Sequence, residues 1–403
     1  MPQTLVLNEL HTIIVGLVAL SLGAILTRKL PGMKRLGLPI SVVGGVLIAL
    51  AVAVLRSTTG IEVEFGTEAR DVLLLVFFTT VGLSAKISAL KAGGKALAIL
   101  CAGTVFLLVA QDLVGIGIVL LRGAHPFYGL LIGSLSFVGG PGTAIAWAME
   151  GEAMGLPFTH EVAIGSATLA TLAGALMAPL LTGLLIRRNG LSSPSGKTGV
   201  PWKANSDKVE HADGDRFRQV HIAASLLIIL VAVAMGDWLN DWAASVHVVL
   251  PGFLTAMMAG VLIANLGDLF GKDLSLAPIQ RGGAFSMQLF LVLSLMGLRL
   301  WVVLPIIGPL LLNVALQVAI SGFLALIVLY RLLGRDYDAA VTAGGFMGFG
   351  LASMPVAFAT MEEVTAHHGP SPRAFLLITL VASFFVDLAN AAITKVFLYF
   401  FVS

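Results

Sequence analysis

Charge is what this chain has least of. Asp, Glu, Lys and Arg make up 11% of its 403 residues, against roughly 25% in an ordinary soluble domain. So thin a polar coat cannot cover a water-soluble fold. Cysteine occurs once, as Cys101, which excludes an internal disulfide framework and leaves the thiol as a small buried side chain. The net charge is only +2 and the basic residues are scattered through short loops, so no nucleic-acid partner is expected. No basic stretch with a small-residue cleavage site opens the chain, so the first apolar run is expected to remain as a span. There is no Ser/His/Asp set, HExxH, P-loop or paired-Cys motif, so neither an enzyme nor an ATP-driven machine is expected. His367-His368 is read as part of a polar loop without metal spacing, and no resident cofactor is expected.

What is present is apolar sequence in long runs. The chain is 58% hydrophobic, with a mean hydropathy of +0.98, and runs of about 18 or more apolar residues read as membrane-spanning helices. Ten are expected, near 9–27, 36–55, 69–87, 95–121, 160–187, 218–236, 247–267, 283–301, 303–330 and 372–401. Two further apolar stretches, 126–149 and 338–361, are interrupted by glycine clusters. The polar segment 188–217 reads as a solvated linker between a first half, 1–187, and a second, 218–403. Positive residues mark cytoplasmic loops: Arg28, Lys29, Lys34 and Arg35 after the first span, Lys86, Lys91 and Lys95 after the third, Arg187 and Arg188 after the fifth, and Arg331 and Arg335 after the ninth. Glu62, Glu64 and Glu68, then Asp237 and Asp241, fall outside. The alternation is kept only if each interrupted stretch enters and leaves on one side. Both are therefore expected to be re-entrant, the first from outside and the second from inside, with both termini outside.

The halves resemble each other. The pentad at Gly45–Ala49 recurs at Gly260–Ala264, each downstream of a Leu-Pro pair (Leu38-Pro39 and Leu250-Pro251). Val81–Leu83 matches Met296–Leu298, Gln111 matches Gln317, and Gly140, Gly142 and Ala144 match Gly348, Gly350 and Ala352. Repeats of opposite topology with paired interrupted segments point to a secondary transporter with a midplane site.

A loop bared to lipid would leave several peptide groups unpaired, so it must be buried or line a wet cavity. At Gly139-Gly140-Pro141-Gly142 two half-helices are expected to meet, with Thr143 capping the second. Free N–H groups and the helix dipole at such a start favour an anion, while freed carbonyls favour a cation such as sodium. Thr342–Pro355 offers the same from the other side. Candidate substrate-binding residues are Gly139, Gly140, Gly142, Thr143, Gly345, Gly348, Gly350, Ser353, Ser166 and Gln317. The competing reading is that glycines simply allow helices to pack closely.

Polar residues at membrane depth are costly and functional by default. Asp387 with Asn390 on the same helix face, and Asp112 with Gln111, are candidate sodium ligands, together with Thr168. The competing reading is structural hydrogen bonding between helices. Thr79, Thr80, Ser166, Thr168, Thr171 and Ser383 could line a path or bond to their own helices. Arg299 and Lys395 are expected to snorkel at span ends.

The stretches LPISVVGGVLIAL, VFFTTVGLSA, VGGPGTAIAW, DYDAAVTAGGFMGFGLASMP and FFVDLANAAITKVFL together resemble the bacterial sodium/glutamate symporter family over nearly the whole chain except the linker. The resemblance implies an all-α inner-membrane carrier of ten spans in two inverted five-helix repeats, each with a re-entrant hairpin. It also implies L-glutamate uptake coupled to sodium, an elevator-type movement, a homodimer in lipid, and periplasmic termini. The family's first loop usually has His where this chain has Pro141, and its second a Gly-Ala-Thr-Pro run where this chain has Ala352-Ser353-Met354-Pro355. Two other readings stay open: a sodium- or proton-coupled symporter of another carboxylate such as a hydroxy acid, and a channel.

Overall fold

A computed structural model describes residues 4–29, 40–84, 94–193, 215–245, 250–269, 276–298 and 304–401. Its elements run β1 (Thr4–Val6), α1 (Glu9–Lys29), α2 (Ile40–Thr59), β2 (Glu62–Glu64), α3 (Glu68–Leu83), α4 (Gly94–Leu120), α5 (Pro126–Leu131), α6 (Gly140–Ala153) and α7 (Thr159–Arg188). Then come α8 (Asp215–Ser245), α9 (Gly252–Leu269), α10 (Leu276–Met296), α11 (Ile307–Leu332), α12 (Tyr337–Ala352), α13 (Met354–His368), α14 (Pro372–Leu380) and α15 (Val386–Phe401). Two π-helical stretches, Leu324–Leu329 inside α11 and Val381–Phe385 between α14 and α15, break the regular bonding.

The packing is that of a membrane protein. In α1 the buried residues are Thr12, Gly16, Ala19 and Gly23, a stripe of small side chains three or four residues apart. Leu10, Ile14, Leu17, Val18, Leu22 and Ile25 are exposed. Small residues inside and large apolar ones outside is the arrangement lipid favours, because close backbone approach replaces the hydrophobic drive. Seven described helices are long and apolar enough to cross a membrane: Glu9–Lys29, Ile40–Thr59, Gly94–Leu120, Thr159–Arg188, Ile222–Ser245, Gly252–Leu269 and Ile307–Leu332. The chain is a multi-pass, helical membrane protein. The expected run 69–87 appears as α3, only 16 residues long; 283–301 appears as α10, beginning earlier, at Leu276; and 372–401 is divided by a π stretch.

The purely helical expectation misses one feature. Thr4–Val6 pairs in parallel with Glu62–Glu64. Beside this ribbon, Glu9 accepts from the backbone N–H groups of Glu68 and Ala69, both at 3.1 Å. It thereby fills two of the unpaired donors at the start of α3.

By contact the chain divides into two units, and neither is a sequence half. One holds Asp71–Ala92 and Val200–Met287. Its helices lie close through glycine: a methyl group on Gly260 would stand 2.6 Å from the Thr79 carbonyl oxygen, and one on Gly236 2.5 Å from Ala256 Cα. The other unit holds Met1–Arg70, Gly93–Gly199 and Gln288–Ser403, including both interrupted segments.

Within that larger unit each interrupted segment doubles back on itself. In the first, Gly151 near the end of α6 packs directly on the Phe127 ring at the start of α5, and the Tyr128 hydroxyl donates to the Pro157 carbonyl at 2.6 Å. In the second, a methyl group on Gly348 of α12 would lie 2.6 Å from Ala357 Cα of α13, and one on Gly345 2.5 Å from Met361 Sδ. The Tyr337 hydroxyl donates to the Gly369 carbonyl. Helix α7 lies beside both. At its start Thr159 donates to the Ala148 carbonyl at 2.8 Å. At mid-length a methyl on Gly174 would meet Ala352 Cβ at 2.9 Å. Beyond its end Ser193 donates to the Pro370 carbonyl at 2.8 Å. Thirty residues span about 45 Å, so the hairpins stand on opposite ends of one long helix and point toward its middle.

Candidate substrate and ion site

The bends of the two hairpins meet. A methyl group on Gly140 would lie 2.9 Å from Ser353 Cβ and 3.3 Å from Ser353 Oγ. Both residues hold left-handed backbone, φ 69° at Gly140 and φ 92° at Ser353. Glycine adopts that conformation freely; serine does so at a cost that marks a constrained position. After each bend a helix starts without a side-chain cap: Gly139 precedes α6 and Ser353 precedes α13. Each has Pro in its first two positions and no acidic residue in its first turn. Two helix starts, each with unpaired N–H groups and a positive dipole end, thus converge with no carboxylate in either first turn, a combination suited to an anion. Thr143 does not cap α6 as expected. The helix begins three residues before it, and Thr143 is buried in the first turn with its Cβ 2.7 Å from where a Gly139 methyl would stand.

Behind the bends lies a buried polar cluster. Gln111 on α4 donates to the Gly350 carbonyl at 2.7 Å and approaches Ser321 Oγ at 3.5 Å. Gln317 on α11 donates to the Gln111 carbonyl at 3.0 Å and to Asn313 Oδ1 at 3.3 Å. Asn313 donates to the Ile132 carbonyl at 2.6 Å. Asp112 Oδ1 accepts from the Ser134 N–H at 2.8 Å, and Ser134 Oγ donates to Asn390 Oδ1 at 2.7 Å. Gln111, Asp112, Ser134, Asn313, Gln317, Ser321 and Asn390 are all fully buried. Within it Gln111 Oε1, Gln317 Oε1 and Asp112 Oδ2 receive no hydrogen bond. Buried acceptors without donors are costly unless a proton donor or a cation meets them, and such oxygens are the ligands that hard cations take.

The sodium/glutamate symporter pattern matches residues 5–370. The chain is 34% identical over 397 residues to the sodium/glutamate symporter of Escherichia coli K12, covering 97% of this chain and 98% of that one. It is 33% identical over 394 residues to the sodium/glutamate symporter of Haemophilus influenzae Rd, covering 96% of each. The chain belongs to the sodium/glutamate symporter family.

For this family member, the sequence-chosen residues divide into groups. Gln111, Asp112 and Asn390 fall in one cluster, and Gln317, first grouped with the substrate residues, lies in it too. Gly140 and Ser353 face each other at the bends, and Gly350 supplies its carbonyl to Gln111. Gly345 and Gly348 hold the arms of the second hairpin together, which is the packing reading of those glycines. Gly139 and Gly142 stay at the first bend. Ser166 is fully buried with an unpartnered Oγ, while Thr168 on the same helix is half-buried. Asp387 is half-buried one turn before the buried Asn390, directly after a π stretch.

Thr80 and Thr171 bond to carbonyls of their own helices, Phe77 and Ala167, and Thr79 Oγ1 is buried without a partner. Arg299 and the Ser383 side chain lie outside the described residues. Lys395 sits 5.5 Å over the Trp147 ring of α6, a cation–π contact in place of a free snorkelling amine. His367-His368 closes α13 instead of lying in a loop, with His367 3.2 Å from Glu363.

Sequence reasoning missed Ser134, Asn313 and Ser321. Asn313 had a readable signal, an amide one helical turn before Gln317 in an otherwise apolar run. The two serines had none, since serine in a membrane helix usually satisfies itself on its own backbone.

Proposed function

We propose that this protein is a secondary transporter of the bacterial inner membrane that couples L-glutamate uptake to sodium entry. The single observation that carries the reading is the apposition of Gly140 and Ser353, two uncapped helix starts backed by buried oxygens that lack donors. In this reading both hairpins are re-entrant, the first from the periplasm and the second from the cytoplasm. They belong to two inverted five-helix repeats with ten crossings in all, and both termini are periplasmic.

The backbone N–H groups at the starts of α6 and α13 hold the glutamate carboxylates, with Thr143, Ser166 and Ser353 as nearby hydroxyls. Sodium is held by Asp112 and the side-chain Oε1 atoms of Gln111 and Gln317, with Asn390 bracing Ser134. Asp387 and Thr168 serve as further oxygen ligands on the ion's path. Anion and cation sites lie on the two sides of the same bends, so each ion lowers the electrostatic cost of binding the other. Alternating access follows by an elevator-type displacement in a homodimer.

The test is initial-rate uptake of labelled glutamate into proteoliposomes at varied sodium. Saturable uptake that requires sodium and is competed by L-glutamate more strongly than by citrate or malate supports the reading. Preference for citrate or malate would assign another carboxylate, and unsaturable, gradient-independent flux would assign a channel.

A further inference from the structure

The amides behind the bends form a continuous chain. It starts at the Ile132 carbonyl of the first hairpin, passes through the side chains of Asn313 and Gln317 to the main-chain carbonyl of Gln111, and ends where the Gln111 side chain donates to the Gly350 carbonyl of the second. The first hairpin is linked at one end, the second at the other, and the links cross from α11 to α4 between them. The orientation of each amide is forced. The carbonyls of Ile132, Gln111 and Gly350 can only accept, so each side chain must turn its NH2 toward them. No member is accessible to water, Asn313 and Gln317 being 0% exposed, so one amide cannot rotate without stranding its neighbour's donor or acceptor. The two oxygens this arrangement frees are Gln111 Oε1 and Gln317 Oε1, both unpartnered.

We propose that Asn313 is a positioning residue that, acting through the sodium ligand Gln317, ties the two hairpins into one sodium-responsive unit. An ion drawn to the freed oxygens fixes Gln111 and Gln317, and through Gly350 and Asn313–Ile132 it fixes both bends at once. This rests on the sodium-coupled reading above. It adds that the hairpins cannot respond to the ion independently.

Hydrogen–deuterium exchange of the full-length protein in nanodiscs, titrated with sodium against choline, tests it. In the parent, peptides covering 132–142 and 348–356 should become protected with the same sodium midpoint. In Asn313→Leu the two midpoints should separate by roughly threefold or more, and the ratio of glutamate KM at low and high sodium should fall by a similar factor. Asn313→Ala, which removes the same amide with a smaller side chain and leaves the ion's oxygens in place, is the second variant should the first not fold, and it should separate the midpoints likewise. A merely structural role would raise exchange in both bends at every sodium concentration and leave the midpoints together. Coincident midpoints in a folded variant would overturn the proposal. If neither bend of the parent responds to sodium, the sodium-coupled reading itself fails, which is a different result.

Discussion

At the scale of single residues, the site is built from what side chains are missing as much as from those present. Gly140 has no room for a Cβ opposite Ser353 and holds φ 69°, so Gly140→Val should abolish glutamate uptake while leaving the remainder of the fold in place. Uptake normalised to protein recovered in the membrane checks this. Gly348 is different. Its missing Cβ lets α12 lie against the backbone of Ala357, and overpacking of this kind costs about 1–3 kcal/mol. Gly348→Val should therefore lower the thermal midpoint of the purified protein, a loss that glutamate does not restore.

Asp112 carries one oxygen that holds Ser134 and one that is free. Asp112→Asn keeps the acceptor and removes the charge. It should fold, and it should need about tenfold more sodium for half-maximal uptake, the factor that corresponds to about 1.4 kcal/mol. An unchanged sodium requirement would remove Asp112 from the ion site. These polar residues were legible in the sequence because an amide or a carboxylate in an apolar helix is conspicuous. Which of them share a cluster was not legible, because Gln111 and Gln317 are 206 residues apart and only tertiary packing brings them together.

At the scale of elements, glycine density alone cannot separate a bend from a packing face. Gly345 and Gly348 lie in the arm, whereas the reversal is at Ser353, which ends α12 and precedes α13. The arms are unequal too. α5 has six residues before irregular turns, while α12 has 16. Both arms open on a side-chain cap, His125 accepting from the Phe127 N–H at 3.3 Å and Asp336 from the Ala339 N–H at 2.7 Å, and α12 runs through Gly344, Gly345, Gly348 and Gly350, so glycine content does not explain the difference.

Helix α7 sets the distance between the hairpin bases, and its length was read correctly to within two residues from the apolar run alone. The strand pair at Thr4–Val6 and Glu62–Glu64 escaped notice because three-residue strands carry no period. The hairpin geometry makes a direct prediction. With Cys101 replaced by Ala, single cysteines at His125 and Gly155 should both react with a membrane-impermeant thiol reagent from the same side, and a cysteine at Gly369 from the other. Labelling of 125 and 155 from opposite sides would mean that the segment crosses the membrane.

At the scale of the whole molecule, the halves visible in sequence are not the units of contact. The larger unit takes both hairpins and the helices that hold them, and the smaller takes Asp71–Ala92 and Val200–Met287. Each unit thus draws on residues from both sides of the 188–217 segment. The internal matches were legible because motifs such as the Gly45–Ala49 pentad survive. The division into units was not, because it depends on which small-residue stripes face each other.

In the proposed mechanism an anion and a cation are carried together through one site where two helix starts meet. Concentrative uptake tests it most directly. Proteoliposomes holding the purified protein are given an inward sodium gradient as the sole driving force, and internal labelled glutamate is followed with time. Internal glutamate should rise above the external concentration and fall back when a sodium ionophore is added. Glutamate that equilibrates without accumulating, at a rate indifferent to the ionophore, would contradict the proposed mechanism.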